Sequence, residues 1–181
     1  AERWQTKASE NYGENSAEAG ISEYYGNTVD YYNHRTIEGG ETLREWAGKK
    51  DLPEISEKIY PKDEHSGRPK NGTRQFDQIW KADDGSIVVV EAKSSESTSL
   101  GERVITGDDG KLKRVQQGTR EYFDSILEEM KEREGPEKVL AEDIERMLLD
   151  DPDKVHYVQA RGNPGNESHE GGDFSLFDIR E

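Results

Sequence analysis

Two carboxylates and an ammonium group flank one short loop in this chain: Asp77 before it, and Glu91 and Lys93 after it. The loop is Asp83-Asp84-Gly85. A three-residue hairpin loop is usually a type I turn followed by a left-handed residue, and Gly85 stands where that residue belongs. With 83–85 as the loop, Ala82 faces Ser86, and each outward step pairs residues whose numbers have the same sum. Asp77 then lies opposite Glu91, sharing a face with Ile79 and Val89. Phe76, Gln78 and Trp80 fall on the other face beside Ala92, Val90 and Val88. Carboxylates directly opposite in an antiparallel pair, with Cβ atoms roughly 5 Å apart, repel one another. A positive charge must sit between them, or one must take up a proton. Lys93, two residues past Glu91, is on the same face and supplies part of that charge. A divalent metal suits the pair better, since Mg²⁺ is typically held by one or two carboxylates and completed by substrate oxygens. A two-residue loop would instead put Asp77 opposite Ala92 and separate the acids.

The elements that must position these groups are legible to different degrees. Ser86–Lys93 contains Ile87-Val88-Val89-Val90 and reads as a buried strand, and Thr73–Lys81 reads as its partner. Charged residues seldom end a strand that apolar without a role. Val115–Lys131 is an amphipathic helix with Tyr122, Phe123, Ile126, Leu127 and Met130 on one face. Pro136–Leu149 is another, with Pro at its first turn. Lys154–Arg161 and Phe174–Arg180 read as strands, and 162–172 as a loop. Upstream, Leu43, Trp46 and Ala47 suggest a helix over 41–50, and a second short helix is expected over 54–59. Residues 62–72 and 94–110 read as loops. Helices and strands in this order predict an α/β or α+β sandwich around a mixed sheet.

The chain has 181 residues, enough for one domain with a real core. With 30% hydrophobic and 36% charged residues it cannot be densely packed throughout. The first forty positions are polar and the first residue is Ala, as in a piece cut from a larger chain. No apolar run is long enough to span a bilayer. The absence of Cys excludes disulfides and thiolate metal sites. The net charge of −15 is the opposite of a simple nucleic-acid-binding surface. It fits a docking face for a basic partner, a solubilising surface, or a site where metal bridges protein and phosphate.

Phe76-Asp77, a hairpin, then Val90-Glu91-Ala92-Lys93 resembles the PD-(D/E)xK signature of restriction-endonuclease-like nucleases. It is most similar to the nuclease toxin domains that end bacterial polymorphic and contact-dependent growth inhibition toxins. These carry an acid on one strand, Glu-x-Lys on the next, then a helix opening with Gln and an aromatic five residues on. Here that helix reads Gln117-Gly118-Thr119-Arg120-Glu121-Tyr122. The resemblance spans roughly residues 41–131. Phe76 replaces the nominal Pro. A further Glu from the first helix, matching Glu41 or Glu45, is left open, because neither lies on the Leu43–Trp46–Ala47 face.

The resemblance implies a restriction-endonuclease-like three-layer sandwich over 41–181, with 1–40 as a polar entry segment. It implies hydrolysis of DNA phosphodiesters with Mg²⁺ or Mn²⁺ held by Asp77, Glu91 and the Ala92 carbonyl. Lys93 would orient or help deprotonate the attacking water, and Gln117 would contact substrate or water. On a helical wheel Gln116 is nearer the apolar face, so the choice of Gln117 rests on the family pattern. The implied partners are nucleic acid, DNA ahead of RNA, and a cognate immunity protein. The implied setting is delivery within a larger secreted toxin that acts in a target-cell cytoplasm. An RNase, acting for instance on tRNA, is the alternative enzyme, and a non-catalytic acidic module mimicking nucleic acid is the rival class.

Other candidates are weaker. His34, His65, His156 and His169 match no zinc spacing. Lys111, Lys113, Arg114 and Arg120 form a basic cluster that could track a phosphate backbone or simply be a solvated helix entry. Tyr24, Tyr25, Tyr31 and Tyr32 suit base stacking or core packing.

Overall fold

The Asp-Asp-Gly loop folds as its sequence dictates. Gly85 adopts φ +88°, the Gly85 N–H donates to the Ala82 carbonyl at 3.0 Å, and Asp84 accepts from the Ser86 N–H at 2.9 Å. Gln78 faces Val90, Ile79 faces Val89, Trp80 faces Val88 and Lys81 faces Ile87, the register of the three-residue loop. A computed structural model describes residues 18, 20–36, 42–65, 75–93, 102–161, 173–177 and 179. Its elements are β1 (Thr28–Thr36), β2 (Thr42–Asp51), β3 (Ile55–Tyr60), β4 (Gln78–Ala82), β5 (Ile87–Lys93), β6 (Glu102–Thr106) and β7 (Leu112–Gln116), then α1 (Arg120–Glu132), α2 (Pro136–Asp150), β8 (Val155–Arg161) and β9 (Asp173–Phe177).

The class is α/β, with a mixed and mostly antiparallel seven-stranded sheet of order β2-β1-β9-β8-β5-β4-β3. Strand β5 is antiparallel to β4 and parallel to β8, so it is an inner strand, and both its faces are buried. Ile87 and Val89 join one hydrophobic cluster with Phe123, Ile126 and Ile144 of the two helices. Val88 and Val90 join a second with Ile21, Tyr25, Val29 and Leu52. Burial on both faces explains why β5 reads as an unbroken apolar run rather than an alternating one. Thr119 caps α1 by accepting from the Tyr122 N–H at 3.2 Å, and Pro136 occupies the first turn of α2.

Several expectations are corrected. The helix expected over 41–50 is strand β2, because β1 supplies an antiparallel partner from Thr28↔Asp51 to Thr36↔Thr42. Trp46, expected on one helical face with Leu43 and Ala47, stands on this strand 60% exposed. The helix expected over 54–59 is β3, paired with β4. Strand β1 lies within the stretch read as a polar entry segment and is hydrogen-bonded to both β2 and β9. The loop expected over 94–110 contains β6, and Val115 and Gln116 belong to β7 rather than to the helix. Helix α1 starts at Arg120 because Gly118, at φ +98°, breaks the chain direction ahead of it. Residues 66–72, 94–101 and 162–172 of the expected loops, and 73–74 of the strand expected over 73–81, lie outside the described residues.

Candidate active site

The site forms at the end of β5 remote from the hairpin turn. Ala82 donates to the Ser86 carbonyl at 2.9 Å, so alternate pairs outward exchange backbone hydrogen bonds and residue 76 would be next to bond Ala92. It does not. The chain bends at Asp77, and the Asp77 carboxylate Oδ2 accepts from the Ala92 N–H at 2.8 Å. The side chain thus replaces the missing rung. Within a strand residue the N–H and C=O point to the same neighbour, so the Ala92 carbonyl also faces the Asp77 side. The same bend corrects the expected place of Phe76, which packs on the helix face against Phe123, ring centroids 4.9 Å apart.

Glu91 is 2% exposed, among the most buried side chains of the chain. Its Oε2 accepts from the Gln117 amide Nε2 at 2.7 Å, and its Oε1 accepts from the Tyr157 hydroxyl at 3.1 Å. Both donors are buried. Tyr157 is placed by the parallel pairing of β8 with β5, in which it faces Val89. Its ring is held between Phe123 and Phe177, each at a centroid distance of 4.9 Å. Gln117 is placed by the turn between β7 and α1. At Gly118, next to it, a Cβ would lie 2.5 Å from the Phe177 ring, so only glycine lets the turn sit this close to β9.

The charges of both acids bear on one phenol, Tyr122. Burial raises the Tyr122 pKa above its usual value, the charge of Glu91 raises it further, Arg103 opposes, and Asp77 adds to the rise. Tyr157 is likewise raised, first by burial and then by Glu91. Both phenols therefore stay protonated, and Tyr157 remains a donor to the carboxylate.

Asp77 is thus joined to the Ala92 backbone, and Gln117 to the neighbouring Glu91. Lys93 lies in β5 opposite Arg161, and its side chain is outside the described residues. Gln116 lies in β7 with its Oε1 buried and without a hydrogen-bond donor among the described residues. Glu45 is exposed on β2, separated from β5 by β1, β9 and β8, about 19 Å away at ordinary strand spacing. Glu41 and His169 are outside the described residues. The basic cluster is largely neutralised within the chain: Lys113 pairs with Glu121, Arg114 with Glu102 and Arg120 with Asp124. Tyr157 was missed by the sequence reading, since its role depends on which strand lies beside β5.

Among the described residues no group of three or more His, Asp or Glu is placed to hold a metal ion. Asp77, Glu91 and the Ala92 carbonyl offer only oxygen donors, and both acids accept hydrogen bonds from N–H or O–H groups. Were these oxygens to hold an ion, their chemistry would suit Mg²⁺ or Mn²⁺, which take hard oxygen ligands and keep water or phosphate in their remaining positions. Comparison with protein-family models, curated proteins and solved structures returned no match to the chain.

Proposed function

We propose that this chain is a metal-dependent nuclease of the PD-(D/E)xK, restriction-endonuclease-like kind, hydrolysing phosphodiester bonds of DNA. The observation that carries this reading is the hydrogen bond from Gln117 to the buried Glu91, with Asp77 bonded to the next residue of the same strand. The acid of the Glu-x-Lys pair and the glutamine ahead of the helix are those that the resemblance picks out. They lie far apart in sequence and meet in space. The β3–β4–β5 meander, then α1, then β8 parallel to β5 is compatible with a restriction-endonuclease-like core.

In this reading Asp77, Glu91 and the Ala92 carbonyl would hold Mg²⁺ or Mn²⁺. The bound ion would supply Lewis acidity toward phosphate and lower the pKa of water. The chain's own residues do the positioning. Gln117 and Tyr157 fix both oxygens of Glu91, so the carboxylate needs no rearrangement as charge develops. Asp77 is held by the Ala92 N–H at the open end of the ladder. Lys93, two positions beyond Glu91, would orient and help deprotonate the attacking water. Delivery as part of a larger bacterial toxin, action in a target-cell cytoplasm and neutralisation by a cognate immunity protein belong to the same proposal.

The net charge and the internal pairing of the basic cluster favour a second reading, a non-catalytic acidic module. The test is incubation with plasmid DNA and with total RNA, in Mg²⁺, in Mn²⁺ and in EDTA, for wild type, Glu91→Gln and Lys93→Ala. The nuclease reading expects metal-dependent nicking of plasmid that both substitutions abolish. Cleavage confined to RNA would move the assignment to a ribonuclease. Cleavage that survives EDTA, or no cleavage at all, overturns it.

A further inference from the structure

At the opposite end of β5 from Glu91, a groove of about 680 Å³ runs between α2 and the β4–β5 turn. Its apolar side chains include Ile59, Ile87, Leu140 and Met147. Val139, 60% exposed, stands one helical turn before Asp143 on the same helix face and extends this surface outward. Along the rim, Asp143 pairs with Arg146 at 3.3 Å and Asp84 with Lys154 at 3.1 Å, and Glu57 and Lys81 add one charge of each sign, so these charges largely cancel.

The open end differs. Asp150 and Asp151 both line it, are exposed, and form no ion pair among the described residues. They sit at the C-terminal end of α2, whose last turn carries no basic residue. The negative pole of a helix favours cations, and here it is joined by two carboxylates instead. The local field is one that a positively charged partner would relieve.

We propose that this groove docks a basic amphipathic segment of a partner protein, with apolar side chains on the groove floor and Lys or Arg at the Asp150–Asp151 end. The same charges disfavour the other occupants. A phosphate backbone would be repelled, and a second copy of this chain would bring its own excess of −15. Glu91 is six residues along the strand from Gly85, about 20 Å at the rise of a β-strand. A segment seated in the groove therefore leaves the Asp77–Glu91 end open. The surface is independent of the nuclease reading.

The probe is a synthetic amphipathic helical peptide of Lys and Leu, with a Glu and Leu peptide of the same pattern as control. Binding is measured by fluorescence anisotropy and mapped by amide chemical shifts. The proteins are wild type, Asp150→Lys/Asp151→Lys, and Glu128→Lys/Glu132→Lys on α1, each checked for folding by circular dichroism. The expected result is binding of the Lys peptide with shifts confined to α2 and the β4–β5 turn. Affinity should fall about tenfold or more in the α2 variant and change less than about twofold in the α1 variant. Equal losses in both variants, equal binding of the Glu peptide, shifts spread over the acidic surface, or no binding would overturn the proposal. So would concentration-dependent self-association through α2 in sedimentation.

Discussion

The amide of Gln117 donates to Oε2 of Glu91 across 2.7 Å, joining the turn before α1 to the end of β5. Removing the charge while keeping the shape separates the proposed catalytic role of Glu91 from its structural cost. Burying a carboxylate beside a second acid is expensive, and such a site trades stability for function. Glu91→Gln is therefore expected to lower nuclease activity by about 10²-fold or more. Its urea midpoint should stay unchanged or rise. A variant that is much less stable and still active would sink the proposed role.

Divalent metal should stabilise the folded chain whether or not substrate is present. Binding to the native state alone contributes about 2.7 kcal/mol at a hundredfold excess over Kd, visible as a rise in Tm with Mn²⁺. Asp77→Asn should remove most of that rise while leaving the metal-free Tm close to wild type. An equal metal response in both proteins would place the ion elsewhere.

Tyr157→Phe deletes the hydroxyl that donates to Oε1 of Glu91 at 3.1 Å and keeps the ring between Phe123 and Phe177. Leaving a buried carboxylate oxygen short of one donor costs about 1–3 kcal/mol. Calorimetry should show that loss, together with weaker Mn²⁺ binding. Unaltered metal affinity would make Tyr157 purely structural.

Much of this was readable from the sequence, and where reading failed the reasons are physical. The register of β4 and β5 followed from Asp83-Asp84-Gly85 alone. The same tripeptide recurs as Asp108-Asp109-Gly110, with the same bonds: Gly107 donates to the Lys111 carbonyl, Gly110 to the Gly107 carbonyl, and Asp109 accepts from the Lys111 N–H. That second hairpin, β6–β7, was taken for a loop and a helix start, although its signal was present. Strands β1 and β2 were harder. Leu43, Trp46 and Ala47 mimic a helical stripe, and the ladder that overrides it needs a partner at Thr28–Thr36. Tyr157 had no local signal, because its meeting with Glu91 depends on β8 lying beside β5.

Gly118→Ala should be costly for two independent reasons. The backbone holds φ +98°, and the new Cβ would lie 2.5 Å from the Phe177 ring. Overpacking of this kind costs about 1–3 kcal/mol before the backbone strain is added. The expected outcome is a Tm lower by several degrees, with Gln117 displaced and activity reduced more than stability alone accounts for. Wild-type stability in this variant would contradict the close packing of the turn on β9.

His156 should make stability fall in mild acid. It shares a hydrogen bond with the Tyr25 hydroxyl at 2.8 Å. Burial first, then the charge of Lys50, lowers its pKa from the usual 6.5 to about 4, with Asp84 opposing. As pH drops from 6.5 toward 4 the unfolded chain takes up this proton and the folded chain does not. The contribution is therefore whole above pH 6.5, shrinks through that window, and levels off near pH 4 after a loss of about 3 kcal/mol. Urea titrations at pH 7 and pH 4.5 should show the difference, and His156→Gln should flatten it. An equally steep decline in the variant would assign the effect to other groups.

Strand β9 comes last in sequence among the described strands, yet it stands between β8 and β1. It holds β1 through Asn33↔Leu176 and His34↔Phe177 and presents Phe177 to Gly118. A nascent polypeptide that has not yet reached residue 173 can assemble the hairpin and the helices. It has nothing to seat between its first strands and β8, and no ring to brace the bend that aims Gln117. Synthesis order therefore makes the grip on Glu91 wait for β9, arriving together with closure of the sheet.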